Sequence, residues 1–493
     1  MTLAIIVVYL GLVLLVGSLS YRLFRGTGED YFVASRTIGP FLLLMSLFGT
    51  NMTAFAILGA SGEAYHEGIG VFGLMASISA LVIPSVFFFV GTRVWALGKR
   101  HGFLTQVQYF RARWDSGALG LVLFVVLIAL LIPYLLIGVM AGGITLNQIT
   151  GGQVPNWVGG LMVCAVVMTY VCYGGLRGTA WANTFQTLVF VIMGGLAFFV
   201  IVDAMGGFSK ALAKVAAQHP ELLVRGENIK PLKLLTYTCI PLSVGMFPHM
   251  FMHWLTARGA RAFRYPLMVY PLCIAAVWVP SVLLGVLGSV DFPGLKGPAA
   301  NSILVKMINL HAPELLAGLL AAGVFAAVMS SLDSQVLSIG TMFTQDIVRY
   351  YGFQNQMSEK MQIFYGRLFV AGVLLLTYVI SLFSARSIFK LGVWSFTGFA
   401  ALFPVVVAAL FWRRSTKQGA LAAILSVALL WTYFFFQGWQ TPGYTVGGTG
   451  LMPVAVILAV ATLAMVVVSL LTRPPDAAVV GKFFDGAEAA EDN

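Results

Sequence analysis

Charge is what this sequence lacks. Asp, Glu, Lys and Arg make up 10% of its 493 residues, where a soluble globular chain carries roughly 25%. So few charged groups cannot cover a water-exposed surface, which excludes soluble enzymes and binding domains. Cysteine is also scarce. Cys164, Cys172, Cys239 and Cys273 sit in or beside apolar runs without metal-ligand spacing, so neither a disulfide scaffold nor a zinc site is expected. Strands of alternating polarity are missing too, which excludes a membrane barrel. The net charge of +11 forms no patch for nucleic acid. Its basic residues fall in short clusters between apolar segments, as expected where helices meet lipid headgroups.

What is present is 59% hydrophobic residues, gathered into runs of membrane-spanning length. In lipid the backbone must bond internally, so runs of about 20 apolar residues read as helices. Thirteen spans are expected, at about 3–21, 40–64, 69–92, 117–143, 156–174, 181–203, 235–256, 266–289, 314–345, 365–384, 388–411, 418–437 and 451–472. The N-terminal run has no basic leader or cleavage pattern and reads as a retained helix. With the N-terminus outside, twenty Lys and Arg fall in inner segments and nine in outer ones. This bias predicts a multi-pass plasma-membrane protein, of a bacterial inner-membrane kind, with the C-terminus inside.

Two spans carry helix-breaking composition. Span 2 contains Gly49-Thr50-Asn51-Met52-Thr53, and span 7 contains Pro241, Ser243, Gly245, Pro248 and His249. Glycine weakens a helix and proline lacks the amide it needs, so free carbonyls and helix ends are expected near mid-membrane. The breaks fall in the first helix of spans 2–6 and the first of spans 7–11, as in two inverted repeats of five. The expected fold is therefore an all-α polytopic membrane protein with a five-plus-five inverted-repeat core and discontinuous helices. Residues 1–39 hold an extra helix and an inner loop, 40–204 the first repeat and 205–233 an outer loop. Residues 234–412 hold the second repeat, 413–472 two accessory helices and 473–493 an inner polar tail without a folded domain.

Span 9 holds Ala327, Ser330, Ser331 and Asp333. Two serine hydroxyls and the Ala327 carbonyl can converge on one small cation, and neutral oxygens release it more readily than a carboxylate cage. Asp333 is costly in a membrane. It reads either as a coupling group or as an internal hydrogen-bond or ion-pair partner. His249 and His253 share one helix face and are open to proton relay, anion contact or a structural bond. His66, beside Glu63 and Glu67, reads as part of the extracellular mouth. Tyr134, after Pro133, is expected to face a cavity at another helix break.

Three segments carry a resemblance: Tyr31 to Pro40, FAAVMSSLDSQVLSIGTMFTQDI from Phe325 to Ile347, and YGGLRGTAWANTFQ from Tyr173 to Gln186. They resemble the sodium/solute symporters, whose inverted-repeat core is shared with neurotransmitter-sodium symporters. That resemblance implies sodium-driven uptake of a small polar or anionic solute, with Na+ at Gly49, Met52, Ala327, Ser330 and Ser331. Some members hold a second sodium with an Asp in W-x-D-x-x-Q; here that position is Asn183, which offers no charge. Phe247 to Trp254 resembles a Leu-Pro-His-Ile-Leu-Met-Arg pattern of monocarboxylate-transporting members, with His253 in the Arg position. The implied solute is a small organic acid or amino acid. Its candidate contacts are Asn51, Thr53, Tyr134, Met246, His249, His253, Trp394 and Thr397, with Asn183 and Asp333 as coupling groups. Membrane lipid is the remaining expected partner, with no nucleic acid, no obligate protein and no enzymatic chemistry. A proton-coupled symporter using Asp333, His249 or His253 is the alternative.

Overall fold

A computed structural model describes residues 2–21, 36–352, 358–384, 386–441 and 443–485; the side chains of 2, 17–21, 75–77, 170, 172–178, 359, 360 and 440 are outside that description. Residues 31–35 of the first resembling segment, and the side chains of 173–178 in the third, therefore lie outside the described residues. Everything of length is helical. Among the described residues the β contacts are two isolated bridges, Ile38–Ala257 and Val446–Leu451.

In chain order the helices used below are α1 Thr2–Tyr21, α2 Pro40–Asn51, α3 Ala60–Glu67, α4 Val71–Val86, α5 Thr92–His101, α6 Gln106–Trp114, α7 Gly117–Ile149, α8 Asn156–Ala204 and α9 Pro231–Tyr237. They continue with α10 Pro248–Leu255, α11 Arg264–Asp291, α12 Glu314–Met342, α13 Glu359–Phe383, α14 Ile388–Ala401, α15 Phe403–Phe411, α16 Lys417–Gln440, α17 Pro453–Leu471 and α18 Ala477–Phe484. Among the described residues nine helices are long and apolar enough to cross a membrane, or up to eleven if each of two bent pairs is one span.

Those bent pairs are the two breaks expected from composition. Pro40–Asn51 meets Phe55–Leu74 at 56°, and Pro231–Gly245 meets Pro248–Leu255 at 48°. At the first, Met52 leaves the helix with φ −87° and ψ 87°, and the Thr53 hydroxyl restarts it by accepting from the Phe55 amide at 2.9 Å. At the second, Ser243 accepts turn bonds from the amides of Met246 and Phe247 at 2.9 and 3.1 Å. Pro248 then opens α10, where its missing amide costs nothing.

Two details differ from the sequence reading. Pro133 does not break α7, which runs unbroken from Gly117 to Ile149. Proline removes only the one helical bond its amide would make, and close by the Leu130 carbonyl accepts from the Ser395 hydroxyl at 2.8 Å. Second, the segment expected as a loop near 175–180 is helical, within a run of 49 residues. A straight helix that long would reach about 74 Å, yet this one doubles back. Asn156 lies against Gly143 of α7, whereas Met193 lies against Gly323 and Asn183 against Ser334 of α12. The polar tail contains a short helix, α18, whose Phe483 is 4% exposed.

The core sits where α12 and α7 are enclosed on most sides, while α13 and α17 turn most of their surface outward. Enclosure by protein lets α12 carry hydroxyls and a carboxylate at membrane depth.

Candidate functional site

The break in α2 touches α12. Ser330 Oγ donates to the Gly49 carbonyl at 2.9 Å and lies 3.2 Å from the carbonyl of Ala327 on its own helix. Gly49 is required here, since a Cβ would collide with Thr187 Oγ1 of α8. That hydroxyl is pinned by donating to the Met45 carbonyl at 3.1 Å. Three expected sodium ligands thus come together as neutral oxygens around a buried hydroxyl. Ser331 Oγ instead donates back to the Val328 carbonyl at 3.2 Å, and Met52, 1% exposed, ends the helical part of α2. Among the described residues no three His, Cys, Asp or Glu side chains assemble as a metal site. The donor set therefore suits a hard, weakly held cation rather than zinc or iron.

One turn further along α12 is a polar node. Ser334 Oγ accepts from Asn183 Nδ2 at 2.8 Å, donates to Asp333 Oδ1 at 3.1 Å and meets His253 Nε2 at 3.2 Å. A hydroxyl has one proton to give. With Asp333 receiving it, His253 is the donor at Nε2, leaving its Nδ1 without a partner. Asp333 is 0% exposed and within electrostatic reach of Tyr9 in α1. Asn183, Asp333 and His253 are thus brought to one hydroxyl that sequence reasoning passed over. Ser334 follows Asp333 directly, but only the packing of α8 and α10 on α12 shows what it joins.

Next to the second break lies a cluster of rings. Phe247 stacks on His249 with centroids 5.0 Å apart; Tyr134 lies 5.5 Å from Phe247, 5.8 Å from His249 and 5.0 Å from Phe396. Both His249 ring nitrogens are buried without hydrogen bonds, and the Tyr134 hydroxyl lies by Thr53. A buried polar group left unsatisfied costs about 1–3 kcal/mol, so the imidazole calls for a polar guest or water. Asn51 and Met246 are already engaged. Asn51 Nδ2 donates to the Tyr270 hydroxyl at 2.6 Å, and the Met246 carbonyl accepts from Gln106 Nε2 at 3.1 Å. Thr53 is taken up in restarting the helix.

Trp394 and Thr397 are not in this cluster. They line a separate cavity of about 290 Å³ at the end of the bundle that carries Glu63, His66 and Lys390. Phe389, also on its wall, stacks on Phe55 at 5.0 Å, and Phe55 meets Phe396 at 4.9 Å. A chain of ring contacts leads from this cavity to Tyr134. Phe55, Phe247 and Phe396 escaped sequence reading because an apolar ring in a membrane helix looks the same facing lipid or cavity.

The opposite end is closed by polar contacts. Asp346, just past α12, accepts from the Thr105 hydroxyl at 2.6 Å and pairs with Arg111 at 3.4 Å. Phe483 of α18 packs against His101 and Tyr109, with ring centroids 5.5 and 5.6 Å away. Tyr109 in turn packs against Phe251 of α10 at 5.6 Å. Arg113 faces the rings of Phe483 and Phe484; burial lowers its pKa to about 10, so it remains charged at neutral pH.

Comparison with known proteins converges on one group. The family model described as "Sodium:solute symporter family" matches residues 31–426. The sodium/proline symporter of Escherichia coli (strain K12) is 24% identical, over 97% of this chain and 94% of its own. That of Haemophilus influenzae is 27% identical, over 98% and 97%. The sodium/pantothenate symporter of Escherichia coli (strain K12) is 25% identical, over 83% and 85%. Among solved structures, a Na+-coupled sialic acid symporter in a substrate-bound outward-open state aligns with TM-score 0.79 at 17% identity, covering 96% of this chain and 98% of its own. A nucleobase-cation-symport-1 family transporter in a closed conformation aligns with TM-score 0.62 at 15% identity, covering 92% and 98%. These structural likenesses speak to the inverted-repeat fold.

Proposed function

Because this chain belongs to the sodium:solute symporter family, we propose that it takes up a small organic acid or amino acid by sodium-coupled alternating access. One observation carries the reading: the Ser330 hydroxyl against the Gly49 carbonyl at 2.9 Å, across the α2 break. Sodium held by Gly49, Met52, Ala327, Ser330 and Ser331 ties α2 to α12 and favours the outward-open, solute-competent form. The solute then enters beside the rings of Tyr134, Phe247 and His249, with His249 as a polar contact. Opening at the inner end exposes the ion to low internal sodium and it leaves. Coupling is the difference in ion affinity between the two forms, and an inward potential adds about 2.3 kcal/mol per charge per 100 mV.

The proposal includes thirteen spans. Nine helices and two bent pairs are joined by the shorter apolar helices Leu3–Val16 and Asn156–Thr169. It keeps the N-terminus outside and C-terminus inside, which makes the Glu63 cavity the outer vestibule and the Arg111–Asp346 pair part of the inner closure. The first repeat is 40–204 and the second 234–412, flanked by 1–39, the outer loop 205–233, accessory helices in 413–472 and the tail 473–493. The names of the relatives, two proline symporters and a pantothenate symporter, support a solute bearing a carboxylate.

Uptake into proteoliposomes of labelled amino acids, monocarboxylates, sugars and vitamins, with and without an inward sodium gradient, tests this. Accumulation of a carboxylate-bearing solute only with the gradient is the expected result; accumulation indifferent to sodium contradicts it. The hydrogen-bonded line from Asp333 through Ser334 to His253 supports one second reading, proton coupling. That reading predicts uptake in sodium-free buffer that rises with external acidity and collapses with a protonophore.

A further inference from the structure

The outer vestibule contains a buried acid that the transport cycle above does not use. Glu63 is 8% exposed and lines the cavity of about 290 Å³. Among the described residues it makes no hydrogen bond and no ion pair within 4 Å. Lys233 and Lys390 line the same cavity and act on Glu63 electrostatically without touching it. Lys390 is exposed and its ammonium makes no hydrogen bond among the described residues, and the Lys233 ammonium holds only the Asn228 carbonyl, at 3.3 Å. The other basic side chains there are committed. Arg386 donates to the Trp439 carbonyl at 3.1 Å and lies over that ring at 3.9 Å, and His66 meets the Gly297 carbonyl at 3.2 Å.

A buried carboxylate held apart from two ammonium groups is costly unless something fills the gap. A lone cation satisfies Glu63 but is repelled by the lysines, and a simple carboxylate meets the lysines but faces Glu63. A zwitterion answers both, its ammonium on Glu63 and its carboxylate on Lys233 and Lys390. The aromatic floor fits an encounter site upstream of a closed path: Phe389 leads through Phe55 to Phe396 and Tyr134. We propose that this vestibule binds a zwitterionic amino or imino acid before it reaches the central pocket. This rests on the reading of the chain as a symporter with that end outside, and narrows its solute to the amino acid class.

The site requires no sodium, which makes it separable from transport. Binding of labelled L-proline to the full chain in nanodiscs is measured with choline replacing sodium. Pyrrolidine and cyclopentanecarboxylate serve as amine-only and acid-only competitors. Saturable proline binding is expected, weakened about fivefold or more by Glu63→Gln and by Lys390→Gln, displaced poorly by either competitor, and retained in Ser330→Ala/Ser331→Ala. No saturable binding, binding unchanged in Lys390→Gln, or equal displacement by cyclopentanecarboxylate overturns the proposal. Lys390 is exposed, so that variant carries the test even if Glu63→Gln does not fold. Sodium-driven uptake without sodium-independent binding counts against this site alone; binding without sodium-driven uptake counts against the transport reading alone.

Discussion

Ser330 of α12 reaches across to Gly49 of α2, its hydroxyl donating to the glycine carbonyl at 2.9 Å. The contact joins a helix interrupted at mid-membrane to an enclosed one. It places a rotatable hydroxyl beside a carbonyl that the break keeps available. Turned through its rotor, that hydroxyl offers a lone pair, and the two oxygens are close enough to share one small cation.

The closeness depends on Gly49 having no side chain. Gly49→Ala brings a methyl group into Thr187 Oγ1 and is expected to lower sodium-driven uptake at least about tenfold while leaving membrane insertion intact; overpacking of this kind costs about 1–3 kcal/mol. Adding Thr187→Ala removes the obstructing oxygen and is expected to restore most uptake. Normal uptake by Gly49→Ala alone shows that α2 need not approach α8 and α12 this closely.

Asn183 donates to Ser334, which donates to Asp333. Asn183→Asp removes that donor and sets a second carboxylate beside the first in a dry interior, where two like charges do not both stay ionised unaided. Uptake is expected to become dependent on external pH or to carry an additional sodium. Sodium-to-solute stoichiometry and pH profile both identical to the parent chain would place Asn183 outside the coupling machinery.

Phe55 bridges Phe389 in the vestibule wall to Phe396 beside Tyr134. Phe55→Ala is expected to open that path. With native cysteines replaced and a probe at Met246→Cys, modification by an external membrane-impermeant thiol reagent should accelerate about tenfold, equivalent to about 1.4 kcal/mol in the open population. An unchanged rate means that the ring stack does not close the outer route.

Phe483 packs against His101 and Tyr109 and anchors α18, eight residues long, which is too short to hold its shape alone. Phe483→Ala should cost local packing of about 3–5 kcal/mol and abolish hydrogen-exchange protection across 477–484. Protection equal to the parent chain would show that the tail is held by other contacts.

Both breaks were legible in the sequence, because Gly49, Asn51, Pro241 and Pro248 are conspicuous in otherwise apolar runs and their effect on a helix is local. So were Ser330 and Asp333, since polar groups at membrane depth need a reason. The continuity of α7 through Pro133 was not, because a membrane helix enclosed by its neighbours can carry a proline without breaking. Trp394 illustrates the same limit: its helix was found, but which neighbour its face meets is a matter of tertiary packing. The dyad of Thr187 with Gly49 and the meeting of Asn183, His253 and Asp333 at Ser334 likewise arise from how α8, α10 and α12 pack together. Short α18 hides because its docking rests on tertiary contacts, the buried Phe483 ring and the Lys482 carbonyl bonded to His101 among them.

The most direct test of the sodium site is the activation of solute uptake by external sodium in proteoliposomes containing Ser330→Ala/Ser331→Ala, matched to the parent chain for inserted protein. Losing hydroxyl ligands to a charged guest costs about 1.5–3 kcal/mol each, so half-maximal sodium should rise by at least about tenfold, or activation should vanish, with the protein still correctly inserted. A sodium-activation curve superimposable on that of the parent chain would contradict the assignment of the ion to the junction of Gly49 and Ser330.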